Sequence, residues 1–124
     1  MYELTIIRTF SAAHQLRGYR GNCEDLHGHN YKVEVKVKAG FLDEVGLAAD
    51  FKLLKEKTDL ILETWDHKFL NEIPPFDQVN PSAENLAAEV YHRLEASLNQ
   101  VPVQMVSVTV WESDTAAATY TETT

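Results

Sequence analysis

Three of the five histidines lie within sixteen residues of one another. His14 ends the segment FSAAH, and His27 and His29 stand two apart in CEDLHGHNYKV. Histidines at i and i+2 of a strand project from one face, and Gly28 between them lets the backbone approach a bound group. Three imidazoles that converge without a fourth protein ligand are typical of catalytic zinc, whose open position takes water or a substrate oxygen. The spacing therefore predicts a zinc centre, although iron, nickel or copper would also accept three nitrogens.

Two side chains just before the histidine pair are candidate bases. Cys23 is the single cysteine of the chain, which excludes an internal disulfide and a multi-cysteine zinc ribbon. Its thiol either closes the zinc site as a fourth ligand, which would make the zinc structural, or stands off the metal as a thiolate base. Glu24 follows it directly, either as a second candidate base or as a solvated loop carboxylate.

Two further carboxylates are candidates for proton transfer or for ligand binding. Asp66 precedes His67 near the end of a predicted helix. A carboxylate can hold an imidazole in one tautomer and stabilise its cation, as a proton relay requires, but such a pair is also common at helix ends. Glu112 shares the parity of the apolar residues in a predicted strand, where burial is costly unless hydrogen bonds satisfy it. The guanidine-like edge of a planar heterocycle would do so; otherwise Glu112 lies past the sheet end.

Alternating polarity predicts four strands to carry these residues. Residues 31–38 place a tyrosine and three valines on one face and charged side chains on the other, which is typical of a half-buried antiparallel strand. Residues 2–11 begin with the same period. Val106, Val108 and Val110 set the parity of a third strand, and residues 116–123 indicate a weaker fourth.

Two segments change to helical spacing. After Asp50, which can cap a helix, apolar residues from Phe51 to Trp65 predict a helix of about four turns. Pro81-Ser82 caps a second helix, whose apolar residues recur at intervals of four. These are Leu86, Val90, Leu94 and Leu98.

The order strand, strand, helix, helix, strand, strand predicts one α+β domain over residues 1–124. In it, both helices cover one face of an antiparallel four-stranded sheet. A sheet of so few strands must hide its edges, and joining sheets from neighbouring subunits into a barrel would do so.

Composition and charge narrow the classes of partner. The chain has 124 residues, 44% hydrophobic and 24% charged, as expected of a soluble globular domain. The first ten residues carry Glu3 and Arg8, unlike a signal peptide, so we expect a cytoplasmic protein. Residues 1–60 hold nine charges of each sign, whereas residues 61–124 hold two basic and ten acidic residues. A net charge of −8 argues against binding nucleic acid or an anionic membrane.

Taken together, the motifs resemble the 6-pyruvoyl-tetrahydropterin synthase superfamily, and within it the bacterial 6-carboxy-tetrahydropterin synthases of queuosine biosynthesis. The resemblance runs nearly end to end, and the Cys-x-x-x-His-Gly-His spacing is its most specific part. Its motifs are FSAAH (10–14), CEDLHGHNYKV (23–33), ADF (49–51), DH (66–67) followed by FLN (69–71), NPSAEN (80–85) and VWES (110–113).

The resemblance implies a role for each candidate. The three histidines are implied as zinc ligands, Cys23 as the proton-accepting thiol, Asp66 and His67 as a proton relay, and Glu112 as the anchor of the pterin ring. The implied fold is the tunnelling fold, in which three subunits close a barrel and two trimers stack into a homohexamer. The implied reaction converts 7,8-dihydroneopterin triphosphate into 6-carboxy-5,6,7,8-tetrahydropterin, acetaldehyde and triphosphate. Candidates to meet the triphosphate are Arg8, Arg17, Arg20 and the lysines of residues 31–38.

Glu24 keeps other activities open. The sequence also reads Glu-x-x-His-Gly-His, which resembles a branch that replaces dihydroneopterin aldolase in folate synthesis and forms 6-hydroxymethyl-dihydropterin. A 6-pyruvoyl-tetrahydropterin synthase is a further enzyme alternative. The non-enzyme alternative is a structural zinc module closed by Cys23.

Overall fold

The computed structural model describes residues 1–18 and 25–122. The elements are β1 (Tyr2–His14), β2 (His27–Ala39), α1 (Phe51–Leu62), β3 (Lys68–Phe69), α2 (Ala83–Ser97), β4 (Gln104–Ser113) and β5 (Ala116–Tyr120), with a 3₁₀ turn over Leu70–Glu72. The strands form one sheet in the order β3-β1-β2-β4-β5. Among the helices so described, none is long and apolar enough to cross a membrane.

Strand β3 corrects the predicted sheet. Its two residues pair in parallel with Ala12 and Ala13 on β1, whereas the other strand pairs are antiparallel. The sheet is therefore mixed and five-stranded rather than antiparallel and four-stranded. Two residues are too few to show alternating polarity, so periodicity could not indicate β3.

The first two strands are longer than predicted and extend into the histidine motifs. β1 and β2 each have thirteen residues, and they pair without a break from Tyr2 opposite Ala39 to His14 opposite His27. The same ladder places Ala12 opposite His29. The strand pair thus carries all three histidines at one end of the sheet.

Both helices begin where their caps predict. The Asp50 carboxylate accepts the Lys52 N–H at 2.9 Å, and the Ser82 hydroxyl accepts the Asn85 N–H at 3.2 Å. α1 ends at Leu62, three residues before the predicted end at Trp65. The buried face of α1 also differs, since Phe51 and Leu60 are exposed, and its buried residues are Leu54, Thr58, Ile61 and Leu62.

The core lies between the helices and one face of the sheet. The predicted face of β2 is buried, and so are the four residues predicted at intervals of four along the second helix. The Phe10 ring stacks on the Tyr31 ring with centroids 4.8 Å apart, beside the fully buried Trp65. Each large apolar side chain buried here contributes roughly 1.5–3 kcal/mol.

A β-bulge changes the start of β4. Lys36 pairs with Ser107, but Val37 pairs with Met105, so Val106 is the extra residue. Met105 packs against the core, and Val108 and Val110 are fully buried. The predicted parity of this strand therefore holds from Ser107 onward and fails at Val106.

Candidate metal centre and active site

The structure brings His14, His27 and His29 together. Their side chains offer three nitrogens that all lie within 4.8 Å of one another. The three ring centroids are 4.5, 5.1 and 4.6 Å apart. His14 is buried with 1% of its surface exposed, and the other two rings are partly buried. Two neighbouring strands thus gather three imidazoles on the face of the sheet that also carries the core.

Backbone carbonyls set the orientation of two of these rings. His14 Nδ1–H donates to the Pro81 carbonyl at 2.7 Å, and His27 Nδ1–H donates to the Asp25 carbonyl at 2.8 Å. A carbonyl only accepts, so the proton of each neutral ring lies on Nδ1 and each Nε2 presents a lone pair. An outer hydrogen bond of this kind is typical of histidines that bind a metal.

The donor set fits a zinc ion. The Nε2 atoms of His14 and His27 face each other at 2.9 Å. Two lone pairs at this distance repel unless a proton or a cation lies between them. Zinc takes neutral imidazole nitrogens at about 2.0–2.1 Å, and three histidine ligands leave it a position for water or substrate. The residues present therefore match a zinc site in ligand type and number.

Glu112 lies beside the histidines. Its Oε1 atom is 3.8 Å from His14 Nε2, and 31% of its side chain is exposed. That distance is too long for a hydrogen bond, and Nε2 of the neutral ring carries no proton, so Glu112 lies near the His14 ring without binding it. Glu112 lies within β4 and not past the end of the sheet.

Asp66 and His67 lie in a turn after α1, and both are bonded to β1. The Ser11 N–H donates to Asp66 Oδ1 at 2.9 Å, and the His67 N–H donates to the Ser11 carbonyl at 2.6 Å. Asp66 Oδ2 is 3.0 Å from His67 Nδ1. The Ser11 N–H first, and the His67 ring second, lower the pKa of Asp66 below its usual value.

The backbone of His67 adopts a conformation that side chains other than glycine rarely take. Its φ is 60°, in the left-handed region. Its side chain is 80% exposed. Non-glycine residues in this region cluster at functional sites because the surrounding structure must hold them there. Here the His67 N–H bond to the Ser11 carbonyl helps to hold this conformation.

A cleft is lined by His67 and by the ends of β1 and β2. Its volume is about 480 Å³, within the range of small-molecule sites. Its lining includes His67 and, on β1 and β2, Ser11, Ala13, Gly28 and Asn30. These four residues alternate with the histidines along their strands, so the cleft lies mainly on the face of the sheet away from the three imidazoles.

The remaining predicted residues either lie outside the described residues or bind groups within the chain. Cys23, Glu24 and Arg20 lie outside the described residues. Arg8 binds Asp59 through two hydrogen bonds of 2.7 and 2.8 Å. Arg17 donates to two backbone carbonyls, at 2.6 and 3.0 Å. Both guanidinium groups are thus partly engaged within the chain, and each keeps further N–H donors.

Sequence reasoning missed the groups that hold the metal centre from outside. The Pro81 carbonyl binds His14, and the side-chain amides of Asn71 and Asn80 bind the backbone just beyond it. A backbone acceptor has no side-chain signature. The two asparagines stand in the motifs FLN and NPSAEN, but an amide that binds backbone has no fixed spacing to search for.

Comparison with known proteins identifies relatives along almost the whole chain. The family model described as 6-pyruvoyl tetrahydropterin synthase matches residues 3–123. A 6-carboxy-5,6,7,8-tetrahydropterin synthase of Synechocystis is 37% identical over 90% of this chain and 87% of its own length. The 6-pyruvoyl tetrahydropterin synthase of Caenorhabditis elegans superposes with a TM-score of 0.82 at 27% identity, over 98% of this chain and 96% of that one.

A third relative has a glutamate that is named as a catalytic residue. The structure of a Plasmodium vivax 6-pyruvoyltetrahydropterin synthase is described as a catalytic residue mutant, in which cysteine replaces glutamate. It covers 96% of both chains with a TM-score of 0.77 and 25% identity.

Proposed function

The chain belongs to the 6-pyruvoyl tetrahydropterin synthase family, and from this premise we propose that it converts 7,8-dihydroneopterin triphosphate into 6-carboxy-5,6,7,8-tetrahydropterin. It is homologous to 6-carboxy-tetrahydropterin synthase enzymes, which are lyases. The observation that carries the proposal is the set of three imidazoles at one end of the β1–β2 pair, with two Nδ1 atoms held by backbone carbonyls. This arrangement matches a zinc site that can bind a substrate oxygen.

Zinc would be held by His14, His27 and His29, where it would polarise the oxygens of the substrate side chain and acidify the adjacent C–H. The residues of the chain supply the proton transfers. Cys23 accepts the proton as a thiolate, and His67 returns a proton on the opposite face of the substrate side chain. Asp66 holds the His67 ring through its 3.0 Å contact with Nδ1 and stabilises the imidazolium form.

Glu112 binds the pterin. Its carboxylate takes the paired N–H donors of the ring edge, since two parallel charge-assisted bonds are the strongest way to satisfy a half-buried carboxylate. Its position near His14 keeps the bound pterin next to the metal centre. Acetaldehyde and triphosphate are the other products, and the proposed reaction consumes one water molecule.

Glu24 supports a second candidate function. A glutamate is described as a catalytic residue in the P. vivax relative, and Glu24 directly follows Cys23 in this chain. If Glu24 is the main base, the product is 6-hydroxymethyl-dihydropterin, as in folate synthesis.

Product identification separates these activities. The zinc-loaded protein is incubated with dihydroneopterin triphosphate, and the pterin is identified by mass spectrometry. We expect 6-carboxy-tetrahydropterin, a loss of roughly 10²–10⁴-fold in rate for Cys23→Ala, and little change for Glu24→Ala. Asp25→Asn is the matched control, because Asp25 uses its backbone carbonyl to bind His27.

Two results would overturn the proposal. One is 6-hydroxymethyl-dihydropterin as the main product, lost in Glu24→Ala and kept in Cys23→Ala. The other is a strong thiolate-to-metal charge-transfer band in the cobalt-substituted resting protein, because it would assign Cys23 as a fourth ligand of a structural site.

The proposal includes assembly into a homohexamer of the tunnelling fold. Its support within the chain is the second face of the sheet, which the helices leave uncovered and on which Ile7 is 46% exposed. Sheets joined edge to edge around a barrel would enclose this face. Sedimentation velocity of the wild-type protein tests the assembly.

A further inference from the structure

β1 is bordered by β2 on one side and by the short strand β3 on the other. Where β3 ends, side chains instead of a strand bind the backbone that follows β1. Ala12 and Ala13 pair with the two residues of β3. Gln15 lies beyond the strand, yet its N–H and carbonyl both bind the Asn71 side chain, each at 2.8 Å. Two residues on, the N–H and carbonyl of Arg17 bind the Asn80 side chain at 2.9 and 2.7 Å.

A side-chain amide can replace a peptide group in such a ladder. It carries one carbonyl and one N–H₂ group, so it can give and accept the same pair of bonds as a neighbouring strand. The chain turns at Arg17, and the backbone groups of both positions 15 and 17 are bound in this way. Asn71 and Asn80 thus continue the line of bonds that β3 begins.

These bonds lie next to the metal centre on the chain and in space. His14 immediately precedes Gln15, and its Nδ1–H donates to the carbonyl of Pro81, the residue after Asn80. Asn80 and Pro81 therefore bind the backbone at Arg17 and the ring at His14. The Asn85 side chain in turn donates to the Asn80 carbonyl at 2.8 Å, which ties this segment to the first turn of α2.

We infer that Asn71 and Asn80 are positioning residues of the metal centre, which hold residues 15–17 so that His14 keeps its Nε2 directed at His27. On the other side, the β2 ladder already fixes His14 opposite His27. Without the amides, the backbone of residues 15–17 loses its bonds to Asn71 and Asn80, and among the described residues the Arg17 guanidinium alone still binds the carbonyls of Phe76 and Val79. The His14 ring and its Pro81 acceptor are then held less firmly relative to each other. The inference rests on the proposed metal site but not on any product of the reaction.

Zinc affinity measured by chelator competition tests this role. Because loss of an outer-shell partner typically costs about 10–100-fold in metal affinity, we expect a loss of that size for Asn80→Ala and a loss in the same direction for Asn71→Ala. Asn99→Ala is the matched control, since Asn99 is an exposed residue after α2, and we expect it to bind zinc as the wild type does. The d–d absorption of the cobalt-loaded protein should also change in the two variants, because it reports ligand geometry.

A destabilised variant distinguishes positioning from a general loss of stability. Leu98→Ala removes a buried side chain at the end of α2 and lowers the melting temperature without touching the segment that binds His14. We expect it to keep wild-type zinc affinity well below its melting temperature. Wild-type zinc affinity in both asparagine variants, or an equal loss in Leu98→Ala, would overturn the inference. A wild-type protein that binds no zinc would instead refute the metal site of the proposed function.

Discussion

Two histidine clusters occupy opposite environments in this molecule. In the metal centre, His14 is 1% exposed and its Nδ1–H is held by a backbone carbonyl. In the surface cluster of His92, Tyr120 and Glu122, the His92 side chain is 51% exposed. There His92 Nε2 lies 3.0 Å from Glu122, and the Tyr120 hydroxyl donates to the same carboxylate oxygen at 2.8 Å.

The difference lies in which partner each ring nitrogen meets. In the metal centre, backbone acceptors take the Nδ1 protons of His14 and His27, so that lone pairs converge. In the surface cluster, a carboxylate and a phenol already engage the His92 ring nitrogen. A histidine beside a carboxylate is therefore not by itself a ligand; in the metal centre the outer hydrogen bond uses Nδ1, so that Nε2 is directed at the neighbouring imidazole.

The largest expected effect is on metal binding. His27→Ala removes one of three ligands, so its zinc affinity should fall by more than the roughly 10–100-fold of an outer-shell change. His92→Ala, which alters the surface cluster, should leave zinc affinity unchanged. Zinc content after dialysis and chelator competition measure both. Equal losses in the two variants would contradict the distinction between the clusters.

The next effect is on turnover. Asp66→Asn keeps the shape of the side chain but removes the charge beside His67, so we expect a rate loss of roughly 10²–10⁴-fold if the pair transfers a proton. Zinc affinity should stay near that of the wild type. Asp77→Asn serves as a matched control on an exposed residue of the following loop. Single-turnover rates with dihydroneopterin triphosphate provide the measurement, and a fully active Asp66→Asn would remove the relay from the mechanism.

The same variant makes a prediction for stability against pH. The folded pKa of Asp66 is lowered, so its ionised form stabilises the fold above the usual value of 3.8, and this contribution disappears as pH falls through the lowered pKa. The wild type should therefore unfold at higher urea than Asp66→Asn at neutral pH, and the two curves should converge in acid. A difference that grows toward low pH would show that Asp66 has the opposite shift.

The smallest effect is expected at the surface cluster. The His92 ring first, and the Tyr120 hydroxyl second, lower the pKa of Glu122. Glu122→Gln should thus reduce the melting temperature slightly near neutral pH, with the difference vanishing as pH falls below the usual glutamate value of 4.5. The side chains of His92 and Glu122 are 51% and 42% exposed, so solvent screens the stabilisation that their contact provides. A large loss of activity here would contradict the assignment of the cluster as structural.

The sequence predicted the parts of the fold that have a periodic polarity pattern or a helix-capping residue. The alternation in β2, the caps Asp50 and Ser82, and the leucine spacing of α2 are each local patterns with a direct physical cause, and the structure confirms them. The bulge at Val106 and the two-residue β3 depend on how distant segments meet. The exposure of Phe51 and Leu60 has the same origin, since helical spacing alone cannot select which side of α1 meets the sheet.

For the site, the sequence predicted which residues could act, but it did not predict the groups that hold those residues in place. The His-Gly-His spacing indicated a shared face, and the β1–β2 ladder places the third histidine opposite. The Pro81 carbonyl and the amides of Asn71 and Asn80 come from segments more than fifty positions away from the residues that they hold. Such contacts follow from tertiary structure and leave no local pattern.

The unequal lengths of β1 and β3 have a consequence for the molecule in solution. β3 covers two of the thirteen residues of β1, and residues 2–10 pair with β2 alone among the described strands. At about 3.3 Å per residue, roughly 30 Å of one border keeps its backbone hydrogen-bonding groups toward water. In a single copy of the chain, water must bind these backbone groups. A high protein concentration or crowding favours replacing that water by a strand of another copy.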